Sequence, residues 1–142
     1  MVTTSTIDSE IEQVMGAFRS KLIRLFREEA KNKKCPLSNI EVIGYAIEKK
    51  DPTMKEIAIH LNITPPSTTV LVESMIKKGF LKRIKDSIDR RTIRVALTPK
   101  ACKTFASFQK RKSALIRQML SSLDTSERKT IITIITKLTN NL

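Results

Sequence analysis

Residues 53–98 constrain the fold of this chain more than any other segment. Thr53-x-x-Glu56 has the spacing of a capping box, in which a hydroxyl and a carboxylate satisfy the free N–H groups that begin a helix. Asn62-Ile63 predicts a tight turn. Thr64-Pro65 then begins a second helix, because proline at the first helical position loses no hydrogen bond. Gly79 fits the left-handed residue that ends it. The segment therefore predicts two short helices joined by a turn.

The residues after Gly79 predict a two-stranded hairpin. Residues 80–85 and 92–97 have strand patterns, and in the second one Ile93, Val95 and Leu97 alternate with their neighbours. A polar segment, 86–91, joins the two strands. Two short helices followed by a basic hairpin describe a winged helix-turn-helix, whose second helix is narrow enough to enter the major groove of DNA.

Long helices are predicted on both sides of this segment. Apolar residues at helical spacing give a first helix over about 7–31, which Pro36 ends. Ser38-x-x-Glu41 predicts a capping box that begins the second helix. Thr98-Pro99 and Asp124-x-x-Glu127 begin the fifth and sixth helices. The expected fold class is mainly α with a small β-wing, comprising a winged helix-turn-helix lobe over 35–98 and a helical dimerisation region over 1–34 and 99–142.

The first, fifth and sixth helices carry more apolar surface than a lobe of about 60 residues could cover. Helices without a core of their own usually find a partner, which favours a dimer over a monomer that folds these helices back onto the lobe. The residues predicted to form the dimer contacts are Ile7, Ile11, Val14, Ile131, Ile134, Ile135, Leu138 and Leu142.

The positive charge is concentrated in one part of the chain. The formal net charge is +13, and such a charge indicates a polyanionic partner, of which nucleic acid is the leading candidate, or else simply a soluble basic protein. Residues 1–32 balance five bases against five acids. Residues 77–94 carry eight bases against Asp86 and Asp89, a net +6; the bases are Lys77, Lys78, Lys82, Arg83, Lys85, Arg90, Arg91 and Arg94.

The outward face of the second short helix is the predicted reading surface for DNA. Helical spacing places Thr68, Leu71, Val72 and Met75 against the core. The side chains left for DNA are Pro66, Ser67, Thr69, Val70, Ser74 and Lys77 on the helix, with Lys85, Arg90 and Arg91 in the wing. Asp89 is predicted to orient Arg91 by a charge-assisted bond, or alternatively to brace the hairpin without contact to DNA. Glu73 should face away from phosphate or pair with a base.

Residues 53–98 closely resemble the MarR family of winged-helix transcriptional regulators. The matching residues are Ile57-Ala58-x-x-Leu61, Thr64, Lys78-Gly79-Phe80, Arg83, Asp86-x-x-Asp89-Arg90-Arg91 and Val95-x-Leu97-Thr98-x-Lys100. The flanking helices match the family layout as well. Ala101 stands where the family usually has glycine. Val70 stands where many members carry arginine, which disfavours a direct guanine contact and shifts binding toward phosphates and the wing.

The resemblance implies a homodimer that presents two lobes to a pseudo-palindromic site on double-stranded DNA. It also implies a small aromatic or anionic effector bound between the dimer helices and the lobe. Phe18, Arg19 and Tyr45 fall in segments that would line such a cleft, although a core or surface role is the stronger interpretation for each. Peroxide-responsive members carry a reactive cysteine in the first helix, where this chain has none, so Cys35 and Cys102 are interpreted as buried or incidental thiols.

Other functional classes find little support in the sequence. His60 has no cysteine or carboxylate at ligand spacing, and no catalytic set or phosphate loop is visible, so we expect neither an enzyme nor a metal or cofactor. No apolar run approaches the roughly 18 residues of a membrane span, and two thiols without framework spacing favour a cytoplasmic protein. The prediction is a sequence-specific regulator, expected to repress. The alternatives are a protein-interaction winged helix and a nonspecific architectural DNA binder.

Overall fold

Six helices and one two-stranded sheet make up the described part of the chain, residues 3–32 and 35–142 of the computed structural model. The helices are α1 (Thr4–Asn32), α2 (Leu37–Lys49), α3 (Met54–Leu61), α4 (Pro65–Lys77), α5 (Pro99–Leu120) and α6 (Thr125–Thr139); the strands are β1 (Leu81–Lys85) and β2 (Ile93–Leu97). The predicted fold class is confirmed. The predicted domain boundary at residue 34 lies outside the described residues, and the division into domains stays a prediction.

The helix-turn-helix forms as its capping residues dictate. The Thr53 hydroxyl accepts from the Glu56 N–H at 3.1 Å, and the Glu56 carboxylate accepts from the Thr53 N–H at 2.8 Å. Asn62 takes the left-handed conformation, with φ 52°, and makes the turn. Thr64 then caps α4, with Pro65 at its first position. Both predicted helix starts in this segment are confirmed.

Gly79 ends α4 and turns the chain into β1. Its φ of 78° lies in the region that favours glycine. The Phe80 N–H donates to the Met75 carbonyl and the Gly79 N–H to the Ile76 carbonyl, the pair of bonds that defines a Schellman motif. This ending leads the chain into β1 directly after α4.

The start of α2 differs from the prediction. The helix begins at Leu37 with Pro36 as its cap, and no side chain accepts a capping hydrogen bond there. The predicted Ser38–Glu41 capping box is therefore wrong. Pro36 fixes its own φ near −55° and supplies a carbonyl to the N–H groups of Asn39 and Ile40, so the helix starts one residue before Ser38.

The core of the lobe lies where α2, α3, α4 and the sheet meet. Its fully buried side chains are Val42, Ile43, Ile57, Val72, Met75, Val95 and Ala101, with Phe80, Leu81 and Phe108 nearly so. Burial of one such aliphatic side chain contributes about 1.5–3 kcal/mol. Phe108 of α5 also meets Phe26 of α1 edge-to-face, with ring centroids 6.4 Å apart.

The sheet is an antiparallel hairpin that is anchored on the lobe. Leu81 pairs with Leu97 and Lys85 pairs with Ile93. On the other side of β2, the Val95 N–H donates to the Pro52 carbonyl at 3.0 Å, and Arg94 forms an isolated bridge with Thr53. The turn between α2 and α3 therefore borders the wing.

Residues 109–142 form a second compact unit, which contains the end of α5 and all of α6. The predicted Asp124–Glu127 capping box is confirmed, with both reciprocal bonds at 2.9 Å. Arg128 closes the corner between the helices, because its guanidinium donates to the Leu120 carbonyl at 2.7 Å and to the Leu123 carbonyl at 3.1 Å.

Candidate nucleic-acid interface

Helix α4 has one buried and one exposed face. Thr68, Val72 and Met75 are buried and Leu71 packs beside them, which confirms the predicted inward face. Pro66, Ser67, Thr69 and Val70 are exposed, Val70 by 70%, and Lys77 is exposed in the last turn. Ser74 is half-buried. The residues predicted to meet DNA thus lie mainly on one accessible face near the helix N-terminus.

The hydroxyls on this face are already engaged with their own helix. Thr69 Oγ1 donates to the Pro65 carbonyl at 3.1 Å, and Ser67 Oγ accepts from Thr64 Oγ1 at 2.9 Å. A hydroxyl that donates inward still has acceptor lone pairs. Thr69 therefore suits an amino donor, such as adenine N6 or cytosine N4, whereas the Ser67 proton remains available for an acceptor.

Glu73 is neutralised within the lobe. Its carboxylate forms an ion pair with the guanidinium of Arg83 on β1, and both side chains are about half exposed. The repulsion that Glu73 would otherwise exert on phosphate is thereby reduced. The pair also joins α4 to β1, a contact that sequence reasoning did not predict.

The tip of the wing is organised by two aspartates. Asp86 Oδ1 accepts from the N–H groups of Ile88 at 2.8 Å and Asp89 at 3.4 Å. Asp89 accepts from the backbone N–H of Arg91 at 2.9 Å and from Thr92 Oγ1 at 3.3 Å. No ion pair joins the Asp89 carboxylate to the Arg91 guanidinium among the described residues, so the expectation of such a bond is corrected. Asp89 shapes the backbone of the tip.

Lys85, Arg90 and Arg91 are exposed at this end of the hairpin. Asp86, directly after β1, forms an ion pair with Arg94 of β2, whose Nε donates to Asp86 Oδ2 at 2.7 Å. The Ile88 N–H and the Arg94 guanidinium hold the pKa of the Asp86 carboxyl below its usual value. The predicted antiparallel hairpin already places Asp86 and Arg94 close together, so this ion pair could have been predicted from the sequence.

The helix-turn-helix and wing match a known family model. The model of the MarR family matches residues 47–93. Over this segment the chain is similar to the MarR family. The HTH-type transcriptional regulator YwhA of Bacillus subtilis (strain 168) is 29% identical over 86 residues, which cover 61% of this chain and 62% of YwhA. The chain thus spans less than two thirds of the curated relatives that it matches first.

Solved structures share the fold of this chain over nearly its whole length. A MarR family protein from Bacillus stearothermophilus superposes with a TM-score of 0.90 at 19% identity, covering 98% of this chain and 97% of that one. A variant of S. aureus MepR bound to an oligodeoxyribonucleotide superposes with a TM-score of 0.70 at 18% identity, covering 92% and 96%. These likenesses concern the fold.

The remaining predicted residues lie on α1, on α6 and at the C-terminal residue after α6, and apart from the half-buried Ile131 they are exposed. They include Ile7, Ile11 and Val14 on α1, and Ile134, Ile135, Leu138 and Leu142 at the C-terminal end. On α6 these side chains follow one stripe at helical spacing, and no residue of α6 is buried within the chain. An apolar stripe of this length is normally covered by a partner.

Two further observations concern His60 and the two cysteines. His60 stacks on Tyr45 with ring centroids 4.0 Å apart, so the histidine packs across α3 and α2. Cys35 is buried and Cys102 is exposed; burial raises the pKa of the Cys35 thiol.

Within residues 3–32 and 35–142, no three His, Cys, Asp or Glu side chains cluster as metal ligands, and no helix there is long and apolar enough to span a membrane.

Proposed function

We propose that this chain is a sequence-specific DNA-binding regulator of transcription that acts as a homodimer in the cytoplasm and represses by occupying an operator. It performs no catalysis in this role. The observation that carries the proposal is the exposed face of α4 beside a basic wing tip, since these two surfaces suit a major groove and the neighbouring backbone or minor groove.

The DNA contact proposed for each exposed residue follows from the chemistry of its side chain. Ser67 and Thr69 bond base edges or phosphates, and Val70 and Pro66 contact thymine methyl groups. Ser74, Lys77 and Lys85 bind phosphate, which fixes the register of the lobe. Arg90 and Arg91 enter the minor groove, where they respond to its width.

The dimer is proposed from the apolar stripes on α1 and α6. Two lobes related by a two-fold axis would read half-sites about one helical turn, or roughly 10 bp, apart. The operator is therefore expected to be pseudo-palindromic. The YwhA relative is named a transcriptional regulator, and a MepR variant is bound to an oligodeoxyribonucleotide, both of which support this function.

A small anionic effector is the proposed signal. A cavity of about 760 Å³ beside α1 and α2 combines an apolar wall with three cations and one carboxylate; its lining includes Ile23, Leu37, Arg27, Lys31, Lys78 and Glu41. Apolar walls with a few charged groups are typical of ligand sites. Binding there would change the spacing of the two lobes. The roles of Phe18, Arg19 and Tyr45 in an effector cleft stay predictions.

Fluorescence anisotropy with labelled duplexes tests the proposal. The upstream region of the chain's own operon is compared with a scrambled duplex across a series of salt concentrations. We expect tighter binding to the upstream region and a linear fall of log affinity with log salt. Equal affinity for both duplexes would identify an architectural binder, and no binding at low salt would favour a protein-interaction module.

The wing assignment is tested by Arg90→Ala and Arg91→Ala. Each is expected to weaken binding about tenfold, the effect of one lost charge-assisted contact, while dimer mass and melting temperature stay unchanged. Arg24→Ala, which removes an exposed arginine of α1, is the charge-matched control. Wild-type affinity in both wing variants would show the assignment to be wrong.

A further inference from the structure

Arg94 joins three parts of the lobe through one guanidinium. Nε donates to Asp86 Oδ2 in the wing at 2.7 Å, and NH1 donates to the Asp51 carbonyl of the α2–α3 turn at 3.1 Å. NH1 also lies 4.0 Å from Glu56 Oε2 at the start of α3. The side chain is 36% exposed and Asp86 only 12%, so these contacts are partly shielded from solvent.

Both acidic partners of Arg94 have a second structural task. Glu56 closes the capping box of α3, and Asp86 holds the backbone N–H groups of Ile88 and Asp89 at the wing tip. A continuous series of polar contacts therefore runs from the tip of the wing, through Asp86 and Arg94, to the first turn of the helix-turn-helix.

The backbone of the α2–α3 turn is shaped to receive this side chain. Lys50 and Asp51 both adopt positive φ, 54° and 52°, which is unusual for two consecutive residues other than glycine. The reversal brings the Asp51 carbonyl to Arg94 and the Pro52 carbonyl to the Val95 N–H. A conformation of this cost persists where the surrounding contacts fix it.

We propose that Arg94 is a positioning residue that fixes the angle of the wing against the helix-turn-helix and so places Arg90 at its groove. The proposal rests on the proposed DNA-binding function. Arg94 itself faces its intramolecular partners and need not contact DNA. Without this contact the hairpin keeps its own pairing, but its tip is free to rotate about the base of the sheet.

The Asp86→Asn variant distinguishes an effect of wing position on DNA affinity from an effect of net charge. The amide keeps an oxygen for the Ile88 N–H but loses the acceptor for Arg94 Nε, and the variant also loses one negative charge. An effect of charge alone would tighten DNA binding. Loss of wing position should instead weaken it about tenfold, as loss of a wing arginine does. Asp8→Asn makes the same charge change on α1 and is the matched control. Tighter binding by Asp86→Asn would overturn the proposal.

A double-mutant cycle shows whether Arg94 acts through Arg90. If Arg94 places Arg90, the effect of Arg90→Ala should shrink from about tenfold to less than twofold in an Arg94→Gln background. Arg94→Lys keeps the positive charge but cannot make both guanidinium hydrogen bonds. In its background, too, Arg90→Ala should change the affinity less than twofold. Additive effects, or full recovery by lysine, would mean that Arg94 acts independently as a charge.

The position of the wing can also be measured without DNA. Spin labels at Ser87→Cys and Lys55→Cys, in a Cys102→Ser background and diluted with unlabelled chain, report the distance from the wing tip to α3. We expect a narrow distribution that broadens in Asp86→Asn and Arg94→Gln. An unchanged width would refute the positioning role. If wild-type protein binds no duplex, the proposed function fails, and this measurement still decides the role of Arg94.

Discussion

At the scale of single residues, the carboxylates of Asp86 and Glu56 make the stability of the lobe depend on pH. The pKa of Asp86 is lowered first by the Ile88 N–H and then by Arg94, and that of Glu56 first by the Thr53 N–H. Hydrogen bonds and nearby cations stabilise the charged form of an acid. Each group therefore stabilises the fold while it is ionised.

The lobe should lose stability in acid as these two groups protonate. Because their folded-state pKa values are lowered, their contribution is complete above the unfolded values of about 4 and is lost as pH falls through the folded values. Urea unfolding between pH 2 and 6 measures this. Asp86→Asn should flatten the lower part of the profile. A parallel profile for Asp86→Asn and wild type would contradict the assignment.

At the scale of elements, local signals predicted the structure wherever side chains satisfy backbone groups of their own segment. Thr53, Thr64, Gly79 and Asp124 mark real helix ends, since capping depends on residues three or four positions apart. Ser38 and Glu41 have the same spacing, but Pro36 begins that helix earlier and makes the box unnecessary. The capping-box spacing therefore forms a capping box at α3 and α6 but not at α2, where a proline precedes it.

In the candidate site, the faces of a single helix were predicted from the sequence, but the contacts between elements were not. Periodicity separated the inward from the outward side chains of α4, because that division depends on the geometry of one helix. It did not predict that Glu73 pairs with Arg83 or that Arg94 pairs with Asp86. Docking of the hairpin on α4 brings Glu73 to Arg83, and the pairing of the two strands brings Arg94 to Asp86. Counting charges therefore overstated the number of cations in the wing that are free for DNA.

The end of α4 gives a prediction at this scale. Gly79→Ala should lower the free energy of unfolding by about 1–2 kcal/mol, because an L residue at φ 78° is strained. The space itself is open, since a Cβ there would meet only Lys100 Cδ at 3.8 Å. Gly79→Asn should cost less, as asparagine tolerates this conformation, and Asn62 adopts it in the same chain. Urea unfolding compares the two; equal losses would indicate a steric cause instead.

At the scale of the whole molecule, the exposed apolar stripe of α6 gives a prediction about assembly. Ile135→Glu places a charge in the stripe that we propose is covered by a second copy, and burial of an unpaired charge is strongly unfavourable. The dissociation constant of the dimer should rise at least about 100-fold, equivalent to roughly 3 kcal/mol. Light scattering coupled to gel filtration measures the mass.

Ile132→Glu is the matched control for that experiment. Ile132 is 66% exposed on the same helix, but it lies about 100° around from the stripe. The control should remain dimeric and should bind DNA as wild type does. Monomers from both variants would indicate a general loss of helix packing, and dimers from both would exclude α6 from the contact.

The anchoring of the wing also bears on how the protein resists aggregation. Strand β2 is bordered by β1 on one side and by residues 52–53 on the other, so the outer edge of β1 is where a foreign strand would add. Three of the five residues of β1 are basic: Lys82, Arg83 and Lys85. Two copies aligned along this edge would repel each other, which protects an exposed edge. The charges that favour a polyanion therefore also keep neighbouring wings apart, and high salt should weaken both effects together.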